Sequence, residues 1–292
     1  MAKEQKAKWM LCASMVIFGT LGPFVRHIPV SSGELALYRA VMAAVLIGGY
    51  LLVSKQRIRF SRIRRSLLLL SLSGIAMGIN WIMLFEAYKY TTVSVATLSY
   101  YFAPVIVTAV CPILFREKLT GKQVICFLMS TVGLIMITGI GDTSGGGKDF
   151  IGILFGISAA VFYASVILLN KFIKDVEDLH RTLLQFIAAI AVLRPYVALS
   201  GGITLGGMEI VGWVNLLIVG LVHTGIAYVL YFSSVKEMTG QKAAILSYID
   251  PLVAVAVSVT VLGEKMTLWQ GLGGLLILGF TLFNEIEVSK KT

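Results

Sequence analysis

Charged side chains are scarce in this 292-residue chain, at 14% of residues, and so are the groups on which most soluble chemistry depends. Its three histidines, His27, His180 and His223, stand far apart, so none shares the i, i+4 spacing of a zinc-binding helix. Three cysteines, Cys12, Cys111 and Cys126, fall in apolar runs without paired spacing, which argues for small core residues and against a disulfide framework or metal site. There is no HExxH, no Walker loop and no Gly-x-Ser-x-Gly, and the run GDTSGGGKD (141–149) orders its glycines and lysine wrongly for a phosphate cradle. These absences set aside the familiar hydrolases, metalloenzymes and nucleotide-driven pumps. No enzyme activity, metal or cofactor is expected, and concentrative work would have to draw on an ion or solute gradient.

What the chain has instead is apolar length. It is 57% hydrophobic with a mean hydropathy of +0.87, far above a soluble domain of this size. Crossing about 30 Å of hydrocarbon takes about 20 helical residues. Ten such runs are predicted, near 8–27, 33–53, 66–88, 92–115, 121–140, 150–170, 181–200, 208–235, 242–262 and 267–286. Continuous runs without period-two alternation predict helices rather than barrel strands, so the fold class is an all-α membrane protein. The first run lacks a small-x-small cleavage site and is read as a retained span.

The net charge of +10 is distributed by side. With the N-terminus inside, segments predicted cytoplasmic hold 19 of the 25 Lys and Arg, including the block SKQRIRFSRIRRS (54–66), whereas the external loops hold four. This asymmetry predicts both termini in the cytoplasm of a multi-pass plasma-membrane protein. The basic face is expected to meet anionic lipid headgroups rather than nucleic acid.

The sequence repeats itself. Shifted by 147, residues 78–123 align with 225–270 without gaps, with 14 of 46 positions identical. Shared apolar composition alone gives roughly four or five. Polar identities carry the signal: Lys89 with Lys236, Tyr101 with Tyr248, and Glu117-Lys118-x-Thr120-x-x-Gln123 with Glu264-Lys265-x-Thr267-x-x-Gln270. Apolar bias does not produce these. The expected organisation is a five-helix repeat over 1–140, an external linker over 141–149, and a second copy over 150–292. Because five is odd, the second copy enters the membrane inverted, an arrangement common in alternating-access carriers. The plainer alternative is that duplication only makes a larger bundle.

Ten runs, the five-plus-five duplication, a central proline in the fourth and ninth runs followed by (G/R)EK(L/M)T, and Arg39 in LALYRAVMAAVL together resemble the drug/metabolite transporter superfamily, specifically its EamA-like branch. The resemblance implies a ten-helix bundle with a central cavity in which the third, fourth, eighth and ninth helices are prominent. It leaves the substrate open, since that branch moves amino acids, cofactors, sugars and drugs. Small four-helix members use a glutamate in their first span. The first and sixth runs here have none, so that coupling does not carry over.

Polar groups inside apolar runs need a reason, because a charge at mid-membrane costs about 2.5 to 3.5 kcal/mol on insertion scales. Asp250 lies about 12 Å from the near end of the ninth run, too deep for so short a side chain to reach water. Pro251 and Pro104 lack an N–H and predict helix bends. Two readings of Asp250 stand: it meets a cationic substrate or coupling proton, or it is a buried carboxyl bonded to His223 or Arg39. Tyr101, Tyr248, Trp81 and Tyr228 are repeat-matched aromatics that either wall a cavity or pack, and Asn80 and Ser247 join them as candidate substrate contacts. His223 either exchanges protons with Asp250 or packs. Glu34, Arg39, Glu86 and Arg194 fall in the outer third of the membrane, as an external gate or a neutralised structural cluster. Gly19, Gly22, Gly152 and Gly156 are expected to allow close helix approach.

The function expected from these residues is secondary active transport of small organic metabolites, such as amino acids, amines or related compounds, in the export direction by alternating access. Expected partners are a small-molecule substrate and the lipid bilayer, then protons and, as an open case, a second copy of the chain in a homodimer. The alternatives are a multi-pass membrane enzyme or lipid-handling protein, and a passive channel.

Overall fold

A computed structural model of the chain describes residues 2–55, 63–115, 120–137, 146–173, 176–235, 237, 243 and 246–286. Much of the basic block, Glu117-Lys118, the first part of the 141–149 linker, Lys174, Lys236 and Lys242 lie outside the described residues. Among those described, all regular structure is helical. The elements are α1 (Ala2–Gly19), α2 (Leu21–Arg26), α3 (Ser32–Val53), α4 (Leu67–Tyr90), α5 (Val93–Tyr100), α6 (Ala103–Phe115) and α7 (Gly121–Ile137). They continue with α8 (Gly146–Phe172), α9 (Asp178–Leu199), α10 (Ile210–Leu217), a π-helical segment (Ile218–Ile226), α11 (Ala227–Val235), α12 (Ile249–Thr260) and α13 (Leu268–Ile286). Among the described residues, seven helical stretches are long and apolar enough to cross a membrane, and three shorter apolar helices fall on the fifth, ninth and tenth predicted runs. Residues 146–149, expected in the linker, already belong to α8, whose first turn carries Asp149 where the helix dipole favours an acid.

Local chemistry sets the helix ends. Ser31 and Glu34 form a reciprocal capping box at the start of α3. The repeated T-x-x-Q phrase does the same job twice. Thr120 N–H donates to Gln123 Oε1 at 2.9 Å ahead of α7, and Thr267 N–H donates to Gln270 Oε1 at 2.9 Å ahead of α13. In each case the glutamine N–H returns a bond to the threonine hydroxyl, at 3.3 and 3.2 Å. Helix interruptions also fall at matched places: α5 ends before Tyr101, three residues ahead of Pro104, and α12 begins after Tyr248, three ahead of Pro251. A proline removes one helical hydrogen bond and crowds the preceding turn, which accounts for both breaks. The π-helical segment has no such sequence cue.

Inside lipid there is little hydrophobic drive between helices, so close approach and polar contacts hold them together. The packing pairs form a pattern. Naming helices by their predicted runs, the third packs on the sixth and the first on the eighth; the third on the seventh and the second on the eighth; the fourth on the sixth and the first on the ninth. The second and seventh, fourth and ninth, and fifth and tenth pair with each other. Adding or subtracting five maps each pair onto another pair in the set or onto itself. Gly19 and Gly156 make two of these crossings: a Cβ would sit 2.6 Å from the Asp250 carbonyl oxygen at the first and 2.8 Å from Ser99 Cβ at the second. Gly133 of α7 and Gly273 of α13 meet backbone to backbone. Polar ties add to the packing. Asn80 Nδ2 donates to the Ala159 carbonyl at 2.7 Å, and Gln185 Nε2 donates to Ser73 Oγ at 2.6 Å and Asn170 Oδ1 at 2.7 Å, joining α4, α8 and α9. Each such bond contributes about 0.6 to 2 kcal/mol. Outward faces carry exposed apolar side chains such as Val45, Leu52, Leu128 and Leu275.

Candidate functional site

The break before α12 aims Asp250 into the interior. Its carboxylate Oδ2 accepts the Tyr101 hydroxyl at 2.5 Å, so the acid of the second half is held by the tyrosine at the break of the first. Asp250 is half-buried, and the surface it keeps faces cavities. Three cavities, of about 120, 310 and 220 Å3, meet at Asp250, Tyr101 and Tyr163. The first extends past Trp81 and Arg39 to Tyr88, Val93 and Thr97. The second runs past Tyr228 and Tyr231 to Gln185, Asn170 and Arg181. The third lies under the Pro104 break, beside Ser247 and Tyr248. Together they make a chamber with an acid at its centre.

Its walls are stiff. Tyr100 lies 5.2 Å from Tyr163 and 5.8 Å from Tyr101 between ring centroids, and Tyr228 is wedged between Phe18 at 5.3 Å and Phe186 at 5.5 Å. The edge-to-face pairs, Tyr100 with Tyr101 and Tyr228 with Phe18 and Phe186, add about 0.5 to 1.5 kcal/mol each beyond area burial and fix ring orientation. Four of these rings also carry hydroxyls, so the chamber offers both apolar faces and hydrogen-bonding edges.

Arg39 stands on α3 and is only 4% exposed. Its Nε donates to Thr224 Oγ1 at 2.5 Å, and its guanidinium lies 4.6 Å from the Trp81 ring centroid and 5.6 Å from Phe85. No carboxylate among the described residues lies within ion-pair distance of it. Thr224 is available because the wider π turn lets its hydroxyl donate to the Val219 carbonyl five residues back, at 2.9 Å, leaving a lone pair for Arg39. Gly220 and Gly225 bring this segment against Met42 and Leu46 of α3. Single turns of π geometry are frequent at functional sites.

Beyond the Val93 wall at the Arg39 end of the chamber lies another carboxyl group, that of Glu264. The Glu264 carboxyl, with its side chain 7% exposed, accepts the Val93 N–H at 2.8 Å and the Ser258 hydroxyl, and pairs with Arg26 at 2.7 Å. Arg26 also donates to the Thr91 carbonyl at 2.9 Å. Val93 lines the chamber, so this one acid ties α2 and the end of α12 to the start of α5 beside that wall.

The residues singled out from sequence separate into three groups. Asp250, Tyr101, Tyr228, Trp81, Ser247 and Tyr248 all line the chamber. Asn80 does not; it is buried and spent on the Ala159 carbonyl. His223 does not reach Asp250 either. Its Nε2 lies 3.1 Å from Thr20 Oγ1 and its Nδ1 3.3 Å from the Ile218 carbonyl, with the ring against Phe24, so the expected proton exchange has no contact to run through. The four outer charges do not gather. Glu34 is consumed by Ser31 and by Thr204, whose N–H and hydroxyl donate at 2.6 and 2.7 Å; Glu86 pairs with Lys89; Arg194 is exposed; and Arg39 belongs to the chamber. Shared depth makes neither a gate nor a cluster of them, because each is engaged or exposed at a different place.

Sequence reasoning missed Tyr88, Tyr100, Tyr163 and Tyr231. Tyr163 had a usable signal: it lies seven residues after Gly156, on the helix face that meets α5.

The described residues form an all-helical protein with several apolar helices long enough to cross a membrane, around a charged, aromatic-walled chamber. The chain belongs to the EamA-like transporter family, whose model matches it twice, over residues 5–139 and 150–284. Among similar proteins, "Uncharacterized transporter YxxF" of Bacillus subtilis is 31% identical over 90% of this chain and 84% of its own length. An uncharacterized transporter of Archaeoglobus fulgidus is 29% identical over 92% of both chains. The "Uncharacterized inner membrane transporter YicL" of Salmonella typhimurium is 23% identical over 100% of this chain and 99% of its own. A solved crystal structure superposes with a TM-score of 0.63 at 14% identity, covering 99% of this chain and 100% of that one, a likeness of fold alone.

Proposed function

We propose that the chain is a secondary active carrier that moves small organic metabolites bearing an amino group across the plasma membrane by alternating access. The observation that carries this is Asp250: a carboxyl deep in an apolar span, at a helix break, open to a chamber walled by tyrosines. A charge at that depth in an apolar span is retained where it meets a mobile cation, here the substrate's ammonium or a proton. Cation–π attraction from the surrounding rings favours the same ligands.

Alternating access is supported by three features of the duplication. The family model matches once in each half. The capping boxes and the proline breaks occupy repeat-matched positions. The most extensive packing pairs map onto one another or onto themselves when the halves are exchanged, which supports two matched five-helix units. The bias of basic residues supports cytoplasmic termini. Export is the proposed direction, with uptake into inside-out vesicles as its assay.

The purified chain in proteoliposomes tests the carrier reading directly. Labelled substrate on one side should move faster when unlabelled substrate is present on the other, because a carrier returns loaded more readily than empty. Flux that is indifferent to the far side would mark a passive pore. Asp250→Asn should abolish most of the transport and its pH dependence; unchanged uptake, selectivity and pH profile in that variant would remove the reading.

A further inference from the structure

Outside the chamber, a cavity of about 510 Å3 lies among α2, the loop after it, α3 and α4. On the charge-derived topology it belongs to the external side. Its apolar wall includes Val25, Ile28, Leu35 and Phe85, and its charged wall is Arg26 and Lys89, with no carboxylate in the lining. Both cations have partners, and both keep donors to spare. Arg26 spends only Nη2, on the Tyr88 and Thr91 carbonyls and the Glu264 carboxyl, so Nε and Nη1 make no bond among the described residues. Lys89 is half-exposed and gives one ammonium donor to Glu86 at 2.9 Å. Ser32 is also in the lining; it is 2% exposed, yet its hydroxyl is without a hydrogen-bond partner. A buried hydroxyl left in that condition costs about 1 to 3 kcal/mol unless something outside the protein meets it.

Ser32 is the first residue of α3, a helix of 22 residues whose start favours negative charge. The acid already at that start, Glu34, is turned to Ser31 and Thr204 and does not line the cavity. The geometry points to a second binding site here, apart from the chamber, for an amphiphilic anion: a carboxylate or phosphate head carrying an apolar body. The head meets Arg26, Lys89 and the Ser32 hydroxyl, and the body lies on Val25, Leu35 and Phe85. A neutral molecule of the same shape gains only the apolar wall, and an ammonium head faces two like charges. Tyr88 lines this cavity and the chamber alike, so an occupant shares a wall residue with the solute in the chamber. The site does not rest on the carrier reading, because binding there needs no transport.

The test uses the full chain in phosphatidylcholine nanodiscs, with Cys12, Cys111 and Cys126 replaced. Val30→Cys, in the cavity lining, reports occupancy through its rate of reaction with a maleimide. The probes are hexanoate and hexyl phosphate, with hexanol and hexylammonium as matched neutral and cationic controls. Both anions should slow the reaction saturably, and the controls should need about 10-fold more, the loss of one charge-assisted contact. Ser32→Ala and Lys89→Gln should each raise the half-protecting concentration of hexanoate about 10-fold, with melting temperatures near the parent's to show that they fold. With phosphatidylglycerol mixed into the disc, protection before any solute is added identifies a lipid headgroup as the occupant. Protection by the soluble anions alone identifies a free organic anion. Equal protection by hexanol or hexylammonium overturns the anion site, and so does undiminished protection by hexanoate when Ser32→Ala and Lys89→Gln are combined. A rate that neither the two anions nor phosphatidylglycerol changes overturns it as well, while the carrier reading, tested by trans-stimulation, would stand.

Discussion

Replacing Glu264 by alanine removes two hydrogen bonds and an ion pair beside the Val93 wall of the chamber, and the effect can be sized from these contacts. The carboxyl is nearly buried, holds the Val93 N–H and the Ser258 hydroxyl, and pairs with Arg26. Breaking a fully buried pair costs about 3 to 5 kcal/mol. Arg26 is 33% exposed and keeps its bond to the Thr91 carbonyl, so the lower end, about 3 kcal/mol, applies. If that energy bears mainly on the closed form, a closed-to-open ratio of 100 to 1 becomes about even, since each 1.4 kcal/mol is tenfold. A cysteine at Thr97, which lines the chamber and is 4% exposed, reports the change once Cys12, Cys111 and Cys126 are replaced. Its reaction with a membrane-impermeant maleimide should quicken about 50-fold in Glu264→Ala, with Glu264→Gln between. An unchanged rate in the alanine variant refutes the idea that this acid holds the chamber closed.

Three further outcomes follow from the packing and caps. Gly19→Val drives a branched side chain into the Asp250 carbonyl and should lower stability by about 1 to 3 kcal/mol, seen as a fall in detergent melting temperature, whereas Gly48→Ala, with open space around it, should be harmless. Thr224→Val leaves the buried Arg39 Nε without an acceptor and should cost about 1 to 3 kcal/mol, seen as a fall in detergent melting temperature, with Thr224→Ser, which keeps the acceptor, close to the unaltered protein. Thr120→Ala and Thr267→Ala should each loosen a first turn by about 0.5 to 2 kcal/mol, so amide exchange should rise to similar extents at the starts of α7 and α13; unequal responses would contradict the equivalence of the two caps.

The covalent signals were legible and the azimuthal ones were not. Proline acts on its own turn, so Pro104 and Pro251 announced both breaks, and T-x-x-Q announced both caps, because each effect is confined to about four residues. Asp250 was legible because burying a carboxyl in hydrocarbon is costly wherever the helix faces. Arg39 was misplaced for the opposite reason. Its depth followed from counting residues, but its direction depends on Thr224, 185 residues away, and on a π-helical segment that composition does not signal. His223 shows the same limit: proximity in depth to Asp250 did not make them neighbours, since Thr20 and Phe24 claim the ring. The Glu264 turn was visible as a repeat signature, while its partner Arg26 lies in the first run and carries no local mark of that pairing.

The backbone crossing of Gly133 and Gly273 has an evolutionary consequence. The three cavities around Asp250 take no wall from α7 or α13, so these helices act as a rivet set apart from the cargo hold. Because the rivet is made of main chain, replacing a tyrosine or an arginine inside the hold leaves it untouched. A lineage built this way is free to change what it carries, one wall residue at a time, on an unaltered frame.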